Sequence, residues 1–239
     1  MGMENTLLGN IELISWNISS LKMHEQIEVS VLLSFYNTEF DLLKRAISSL
    51  VKQDFKQFEL LIINDGSEVD LEEKLNSYLV ASEIPYRYFQ HENIGQSFSI
   101  NELISLCNGK YITILDADDE YKTNHLSACL NEMKYSDLIA STSETIVDNE
   151  EDYYVVDKNN PNNKIHVDDC ILFATLFGKK EIFEKFPFKK MYSADSTFFE
   201  AASMDFTVKK VELKTYIYYR NNPSSICSTY KKELKKLTK

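Results

Sequence analysis

The chain has 239 residues, 44% hydrophobic and 26% charged, a composition that is typical of a globular protein and too apolar for a disordered one. Its net charge of -11 argues against duplex nucleic acid as a partner, because phosphates are neutralised by clustered lysine and arginine. The cysteines form no C-x-x-C pair, which argues against a zinc knuckle or a redox dithiol and favours a reducing compartment (Cys107, Cys129, Cys170, Cys227).

Strand and helix patterns alternate between residues 28 and 119. Short apolar runs predict four strands, at residues 29–34, 58–63, 86–89 and 111–115. Apolar stripes at helical spacing predict helices near 42–51, 71–79 and 100–107, the first of them capped by Asn37 or Thr38. This alternation predicts an α/β fold with a mostly parallel sheet that is covered on both faces.

The two flanks are less regular. Residues 1–27 keep neither a helix nor a strand period, and we expect an extension that packs on the domain. Beyond Asp119, a helix near 124–133, a strand near 138–147 and an Asn-rich turn at 159–163 predict an α+β second half continuous with the first sheet.

Ligands of such sheets bind outside the carboxyl ends of the strands. Those ends correspond here to residues 34–37, 64–67, 91–95 and 116–119. Gly66 and Gly95 fall in these loops, where the backbone must turn tightly or approach a ligand closely.

An acidic cluster, Asp116, Asp118 and Asp119, follows the fourth predicted strand. These carboxylates would repel one another if dry, which indicates either a divalent cation or a solvated loop in which Asp119 caps the next helix. Without a nearby His or Cys, the cation would be Mg²⁺ or Mn²⁺ and would bridge a diphosphate. No Walker-type loop and no G-x-G-x-x-G is present, which argues against a P-loop kinase or a dinucleotide dehydrogenase.

Four segments, in this order and spacing, resemble the inverting family 2 glycosyltransferases, whose nucleotide-sugar-binding fold is called GT-A. They are VSVLLSFYN (29–37), FELLIINDGS (58–67), Asn93-Ile94-Gly95 with Asn101, and GKYI (109–112) leading into the acidic cluster. The resemblance implies a Rossmann-like GT-A domain over 28–226, with a nucleotide-sugar-binding half (28–120) and an acceptor-binding half (121–226). Residues 227–239 would form a basic tail.

The resemblance implies donor contacts in the loops after the first three strands. Ser34 would hydrogen-bond the nucleobase, Tyr36 would offer it a flat face, and Asp65 would accept the imide N–H of uracil or thymine. Gly95 would lie against the nucleotide sugar. The alternatives are that Tyr36 is a core residue and that Asp65 is a turn residue bonding its own backbone.

The resemblance also implies the groups nearest the reaction. Asp116 would contact the ribose and, with Asp118, the cation at the departing diphosphate. Asp195 stands where the family has its general base, at the start of a helix, although N-capping that helix is the alternative and the preceding acid is Ala194 here. Arg220 would reach a phosphate, and Asn222, in place of the family's frequent His, would be a weaker metal ligand.

The implied function is metal-dependent, inverting transfer of a sugar from a nucleoside diphosphate donor, most simply UDP-linked. The acceptor would be a hydroxyl of a glycan or of a lipid-linked saccharide in surface polysaccharide synthesis. Alternatives are a sugar-nucleotide-binding scaffold impaired by Ala194 and Asn222, and a sugar nucleotidyltransferase, which would need a Gly-rich phosphate loop that is missing.

The sequence contains neither a membrane-spanning stretch nor a signal peptide pattern, so we expect a cytoplasmic protein. The basic tail either contacts anionic lipid, which would suit a lipid-linked acceptor, or frays in solvent. We expect all four histidines to be surface or packing residues, with His91 alone in a strand-end loop (His24, His91, His125, His166).

Overall fold

The computed structural model describes residues 6–8, 11–17, 26–158, 160, 162–191 and 193–221. The strands are β1 (Thr6–Leu8), β2 (Ile11–Asn17), β3 (Val29–Phe35), β4 (Phe58–Asp65), β5 (Tyr86–His91), β6 (Tyr111–Ile114), β7 (Glu120–Tyr121), β8 (Leu138–Ile146), β9 (Tyr154–Val156), β10 (Lys164–His166), β11 (Leu176–Lys179) and β12 (Val208–Tyr219). The helices are α1 (Phe40–Val51), α2 (Glu72–Ala81), α3 (Gln96–Leu106), α4 (His125–Glu132), α5 (Lys180–Lys185) and α6 (Ala194–Ala202). None of the helices in these ranges has both the length and the apolarity of a membrane span.

Ten of these strands form one sheet in the order β1-β2-β5-β4-β3-β6-β11-β8-β12-β7, and β9 pairs with β10 in a separate hairpin. The centre of the ten-stranded sheet is parallel, because β4 pairs in parallel with β3 and β5, and β6 pairs in parallel with the other side of β3. Every residue of β3 is buried, which requires cover on both faces of the sheet. The predicted parallel α/β core is confirmed.

The second half extends the same sheet instead of forming a separate layer. Strand β11 pairs antiparallel with both β6 and β8, and β12 pairs parallel with β8. The carboxyl end of β12 therefore reaches the same edge as the carboxyl ends of the central parallel strands, where we expected the site.

The N-terminal segment adds strands to the other end of the sheet. Strand β2 pairs antiparallel with β5, and its register shifts between Leu13 and Ser15. Such a bulge moves the following side chains to the opposite face. The shift explains why the sequence there shows no strand period.

The predicted cap of α1 is wrong. The helix begins at Phe40, and Glu39 occupies its N-cap position without a side-chain hydrogen bond. Asn37 has a positive φ of 48°, and its Oδ1 accepts a 2.8 Å hydrogen bond from the backbone N–H of Glu68. Asn37 therefore joins the loop after β3 to the loop after β4 instead of ending a helix.

Candidate active site

Asp65, the last residue of β4, holds the loop that follows β5. Its Oδ1 accepts a 2.8 Å hydrogen bond from the backbone N–H of Ile94, and its Oδ2 accepts one of 3.0 Å from Gly95. The Nε2 atom of His91 lies 3.2 Å from the same Oδ1. The alternative role of Asp65 as a local turn residue is wrong, because Asn64 makes the turn bond by accepting from the backbone N–H of Ser67 at 2.9 Å.

The loops after β4 and β5 approach each other at their backbones. Gly66 has a φ of 72°, and a Cβ atom there would lie 2.4 Å from the backbone nitrogen of Asn93. Asn93 in turn donates from Nδ2 to the carbonyl oxygen of Asp65 at 2.9 Å. Gly66 is therefore required by the contact between the loops as well as by its own conformation.

The loop after β3 offers an aromatic side chain to solvent. Ser34 is buried, whereas Tyr36, immediately beyond the strand, is 47% exposed. The alternative of Tyr36 as a core residue is wrong, and its ring is available to a ligand at the edge of the sheet.

Asp119 is buried within the protein and does not cap a helix. Its Oδ2 accepts a 2.6 Å hydrogen bond from the hydroxyl of Tyr216, and its Oδ1 accepts one of 2.7 Å from the backbone N–H of Tyr219. Helix α4 begins only at His125. Burial, reinforced by the charges of Asp116 and Asp118, raises the pKa of Asp119 well above its ordinary value. The solvated alternative is therefore wrong for this residue of the acid loop, residues 116–119.

Asp116 faces the N-terminus of α3. Its Oδ1 accepts a 2.7 Å hydrogen bond from Nε2 of Gln96, the first residue of that helix. Burial and then the neighbouring charge of Asp118 raise the pKa of Asp116 to about 7, although the bond from Gln96 opposes the shift. Asp116 and Asp118 are thus a carboxylate pair that a cation would relieve.

Asp195 lies in the first turn of α6, as expected for the family's base. The N-cap position belongs to Ser193, whose backbone is left-handed with a φ of 59° and whose side chain makes no cap bond, so Asp195 is not the N-cap residue itself but bonds the first turn in its place. Its Oδ1 accepts a 2.7 Å hydrogen bond from the backbone N–H of Ser196. Burial raises the pKa of Asp195 to about 6 against the lowering effect of hydrogen bonds from the backbones of Ser196 and Phe173.

The chain that leads to α6 is fixed to α3. The side chain of Asn101 accepts a 2.9 Å hydrogen bond from the backbone N–H of Phe188 and donates one of 2.8 Å to its carbonyl oxygen. The Nζ atom of Lys190, two residues later, would lie 3.8 Å from a Cβ atom on Gly95. These contacts bring the start of the segment carrying Asp195 close to the loop that Asp65 organises.

Electrostatic effects show which of the predicted charged residues come together. The charge of Asp195 raises the pKa of Asp116. Asp195 and Arg220 act in opposite directions on the thiol of Cys170, whose pKa burial raises to about 11. The Nε and Nη1 atoms of Arg220 are buried without a hydrogen-bond partner in the described part of the chain. The guanidinium of Arg220 therefore has donors available for an anion.

The residues present suit an oxygen-seeking divalent cation. Across the described ranges, no three His, Cys, Asp or Glu side chains are arranged to hold a metal ion. The protein ligands there are at most the two carboxylates, Asp116 and Asp118, and the predicted Asn222 lies outside the described residues. Mg²⁺ and Mn²⁺ fit this donor set, because one or two carboxylates together with substrate phosphates are a usual environment for such ions.

The histidines and cysteines form no reactive centre in the described residues. His91 is buried between Asp65 and the hydroxyl of Ser99, at 3.1 Å, so it packs as expected. His125 lies 3.7 Å from the sulfur of Cys129, but burial lowers the pKa of His125 to about 3 and raises that of the thiol. Cys107 and Cys170 are also free thiols. His24 and Cys227, with the basic tail, lie outside the described residues.

Several residues of the site were not predicted. The sequence offered one sign of a role for Gln96, which is that it directly follows Gly95 in a predicted strand-end loop. Tyr216 and Tyr219 come from β12, which no local pattern predicted. Arg45 looks like a solvent-facing residue of an amphipathic helix, yet its Nη2 donates to the carbonyl oxygen of Asp118.

Known proteins of similar sequence are glycosyltransferases. An uncharacterized glycosyltransferase of Rickettsia bellii is 34% identical over 127 residues, which cover 53% of this chain and 18% of that protein. The putative colanic acid biosynthesis glycosyl transferase WcaA of Escherichia coli is 35% identical over 104 residues, 43% of this chain and 36% of WcaA. The chain thus matches only a part of each relative's length.

Solved structures of similar fold share little sequence with the chain. S. aureus TarS in complex with UDP-GlcNAc has a TM-score of 0.66 at 18% identity, over 84% of this chain and 60% of TarS. The mannosyltransferase PcManGT of Pyrobaculum calidifontis, in complex with GDP-Man and Mn²⁺, has a TM-score of 0.65 at 14% identity. The match covers 90% of this chain and 63% of PcManGT. These likenesses establish the GT-A fold. The sequence profile described as glycosyl transferase family 2 matches residues 30–203, so the chain belongs to that family.

Proposed function

We propose that this chain catalyses inverting transfer of a sugar from a nucleoside diphosphate donor, most simply a UDP-sugar, to an acceptor hydroxyl. The observation that supports the proposal is that three carboxylates belong to the same edge of the sheet: Asp116 and Asp118 follow β6, and Asp195, in the first turn of α6, acts electrostatically on Asp116. Asp195 is carried by a different element from the Asp116 and Asp118 pair, and we assign it the role of base. Inversion needs one such base on the face of the sugar opposite the leaving group.

In this reaction Asp195 takes the proton of the acceptor hydroxyl as its oxygen forms a bond to the anomeric carbon. The bond from that carbon to the diphosphate oxygen breaks, and its electron pair leaves with the nucleoside diphosphate. Asp116 and Asp118 would hold Mn²⁺ or Mg²⁺, which when bound would supply positive charge to the leaving group. Arg220 supplies a second positive charge through guanidinium donors that have no partner within the described residues.

On the donor side, Tyr36 stacks on the base, Ser34 hydrogen-bonds it, and Gly95 lets the backbone approach the sugar nucleotide. Asp65 keeps the loop after β5 in place, and its contact with the imide N–H of uracil stays a prediction. A preference for UDP over CDP that Asp65→Asn abolishes would support that contact. An unchanged preference would assign Asp65 to holding the loop alone.

Two features support a nucleotide sugar and a polysaccharide acceptor. The structures of similar fold contain UDP-GlcNAc or GDP-Man. A relative is named for colanic acid biosynthesis. We extend this to a glycan or lipid-linked saccharide as the acceptor of this chain.

The test is a thermal-shift screen of nucleotide sugars with Mn²⁺, followed by a transfer or donor-hydrolysis assay with the best ligand. A ligand at 100 times its Kd should add about 2.7 kcal/mol to the free energy of unfolding. Asp118→Asn should remove the Mn²⁺-dependent part of the shift, whereas Asp205→Asn, which removes an exposed partner of Lys185, should not. Binding without turnover by the wild type would favour the scaffold alternative, with Ala194 as a reason. No binding of any nucleotide would contradict the proposal.

A further inference from the structure

Polar side chains of helix α1 and of the residues just after it hold the end of the acid loop and the chain that follows it. Arg45 and Ser49 lie one turn apart on one side of the helix, and Gln53 follows just after its last residue, Val51. The hydroxyl of Ser49 accepts from the backbone N–H of Tyr121 at 3.1 Å, and Nε2 of Gln53 donates to the carbonyl oxygen of Lys122 at 2.8 Å. Arg45 makes the corresponding contact with the carbonyl oxygen of Asp118. Two side chains of α1 and one just after it thus hold Asp118, Tyr121 and Lys122.

Arg45 differs from the other two because it also contacts the end of β12. Its guanidinium carbon lies 3.7 Å from the centroid of the Tyr219 ring. The backbone N–H of Tyr219 donates to Asp119 at 2.7 Å, and its hydroxyl donates to Glu120 at 2.6 Å. The stacked pair of Arg45 and Tyr219, called here the Arg45–Tyr219 clamp, therefore holds Asp118 and the two residues that follow it.

The chemistry of the clamp suits arginine and no other residue. A planar guanidinium can stack on an aromatic face and still donate from its edge to a carbonyl oxygen. Lysine can supply the charge but not both contacts in fixed geometry. The side chain is anchored on a rigid element, because Leu43, Ala46 and Ile47 of α1 are fully buried.

Stability alone does not explain the position of the partly buried Arg45 side chain. Its Nε is buried without a hydrogen-bond partner in the part of the chain that the structure describes. A buried donor without a partner costs free energy of folding. The two contacts of Arg45, in contrast, are with the carbonyl oxygen of Asp118 and with the ring of Tyr219, whose backbone N–H bonds Asp119.

We infer that Arg45 is a positioning residue for the proposed metal and diphosphate site, acting through the main chain of Asp118. The inference rests on the proposed function. Arg45 touches neither donor nor cation, and its effect is to keep the acid loop in the arrangement that binds Mn²⁺ together with a nucleoside diphosphate.

The experiment compares UDP binding by calorimetry with and without Mn²⁺, in the wild type and in Arg45→Met. The variant should lose about tenfold in the Mn²⁺-dependent gain in UDP affinity while metal-free affinity changes less than about twofold. Arg45→Lys should restore part of the gain. In a donor assay, Arg45→Met should need more Mn²⁺ for half activation but keep most of its kcat at saturating Mn²⁺.

Arg87→Met is the matched control. Arg87 is also a partly buried arginine with an unpaired Nε, but it binds Glu59 at 2.9 Å and the carbonyl oxygen of Leu106, away from the acid loop. Arg87→Met should lower the free energy of unfolding and leave the Mn²⁺-dependent gain in UDP affinity unchanged. A second pair keeps the test valid if Arg45→Met does not fold: Tyr219→Leu, which removes the ring, should lose more of the gain than Tyr219→Phe, which keeps it.

The outcomes separate the two proposals. If the wild type shows no Mn²⁺-dependent gain, the proposed metal-dependent function fails, and the role of Arg45 fails with it. If the wild type shows the gain and Arg45→Met keeps it, or Arg87→Met loses it equally, only the inference about Arg45 is overturned.

Discussion

Tyr216 donates a 2.6 Å hydrogen bond to Oδ2 of Asp119, which lies 97 positions earlier in the sequence. Its hydroxyl oxygen also accepts from the backbone N–H of Asp116 at 3.4 Å. Strand β12, the last strand that the structure describes, therefore holds the acid loop that follows β6. The geometry of the proposed metal site depends in this way on the second half of the chain.

Removal of the Tyr216 hydroxyl should destabilise the protein. We expect Tyr216→Phe to lower the free energy of unfolding by about 1 to 3 kcal/mol, because the buried carboxylate of Asp119 loses a donor. Urea denaturation measures the change. Tyr86→Phe is the control, since the buried Tyr86 makes a longer, 3.3 Å bond to the neutral Asn76 and should cost less than about 1 kcal/mol. Equal costs for the two variants would contradict a special role for the contact with Asp119.

Asp195 should give the reaction an acid limb. Burial raises the pKa of Asp195 to about 6. Because a protonated base cannot accept the acceptor's proton, we expect kcat/KM to decrease as the pH is lowered below that value. Asp195→Asn should be inactive at every pH. Glu181→Gln, which changes an exposed acid in the first turn of α5, should retain the wild-type profile. A profile without an acid limb near pH 6 would remove Asp195 from the role of base.

The same raised pKa predicts an effect on stability with a definite sign. The folded state binds the proton of Asp195 more tightly than the unfolded state, so the charged carboxylate opposes folding above about pH 6. The free energy of unfolding should therefore increase as the pH falls from about 6 toward the ordinary pKa of a carboxyl group. Above about pH 7, Asp195→Asn should melt at a higher temperature than the wild type although it is inactive. A lower melting temperature would mean that the carboxylate serves mainly the first turn of α6.

Gln96 should contribute to binding through Asp116. We expect Gln96→Leu to weaken Mn²⁺-dependent UDP binding by about tenfold, because Asp116 loses the 2.7 Å donor that favours its charged form. Calorimetry in the presence of Mn²⁺ measures the loss. Gln90→Leu is matched to it, since Gln90 makes a 3.0 Å bond to Glu12 on the neighbouring strand and should leave UDP affinity unchanged. Unaltered affinity in Gln96→Leu would show that the bond only packs α3.

The central strands could be predicted because parallel strands buried on both faces are continuous apolar runs, as in residues 29–34 and 58–63. The polar residues that follow them then lie at one edge by topology alone. Strand β12 could not be predicted in the same way. Its register with β8 shifts between Val211 and Tyr216, and Lys214 within it has a φ of 50°, so the alternation of side chains is interrupted.

The partners of the site residues were less accessible to sequence than their positions. Asp65 was correctly placed at a strand end, but its donors are the backbone N–H groups of Ile94 and Gly95, which any sequence would supply. The contacts of Asp119 with Tyr216 and Tyr219 join distant elements. Such pairs depend on the register of β12, which local patterns do not encode.

The two positive-φ glycines should differ in what replacement costs. Alanine at either position must adopt a positive φ, which costs about 1 to 3 kcal/mol. At Gly95 the added Cβ meets only the end of the Lys190 side chain, at 3.7 Å, so little more is expected. At Gly66 it would lie 2.4 Å from the backbone nitrogen of Asn93, and the loops after β4 and β5 must separate. We therefore expect Gly66→Ala to cost more than about 3 kcal/mol in urea denaturation and also to weaken UDP binding. Similar costs for the two variants would mean that conformation alone, and not the contact between the loops, selects glycine at position 66.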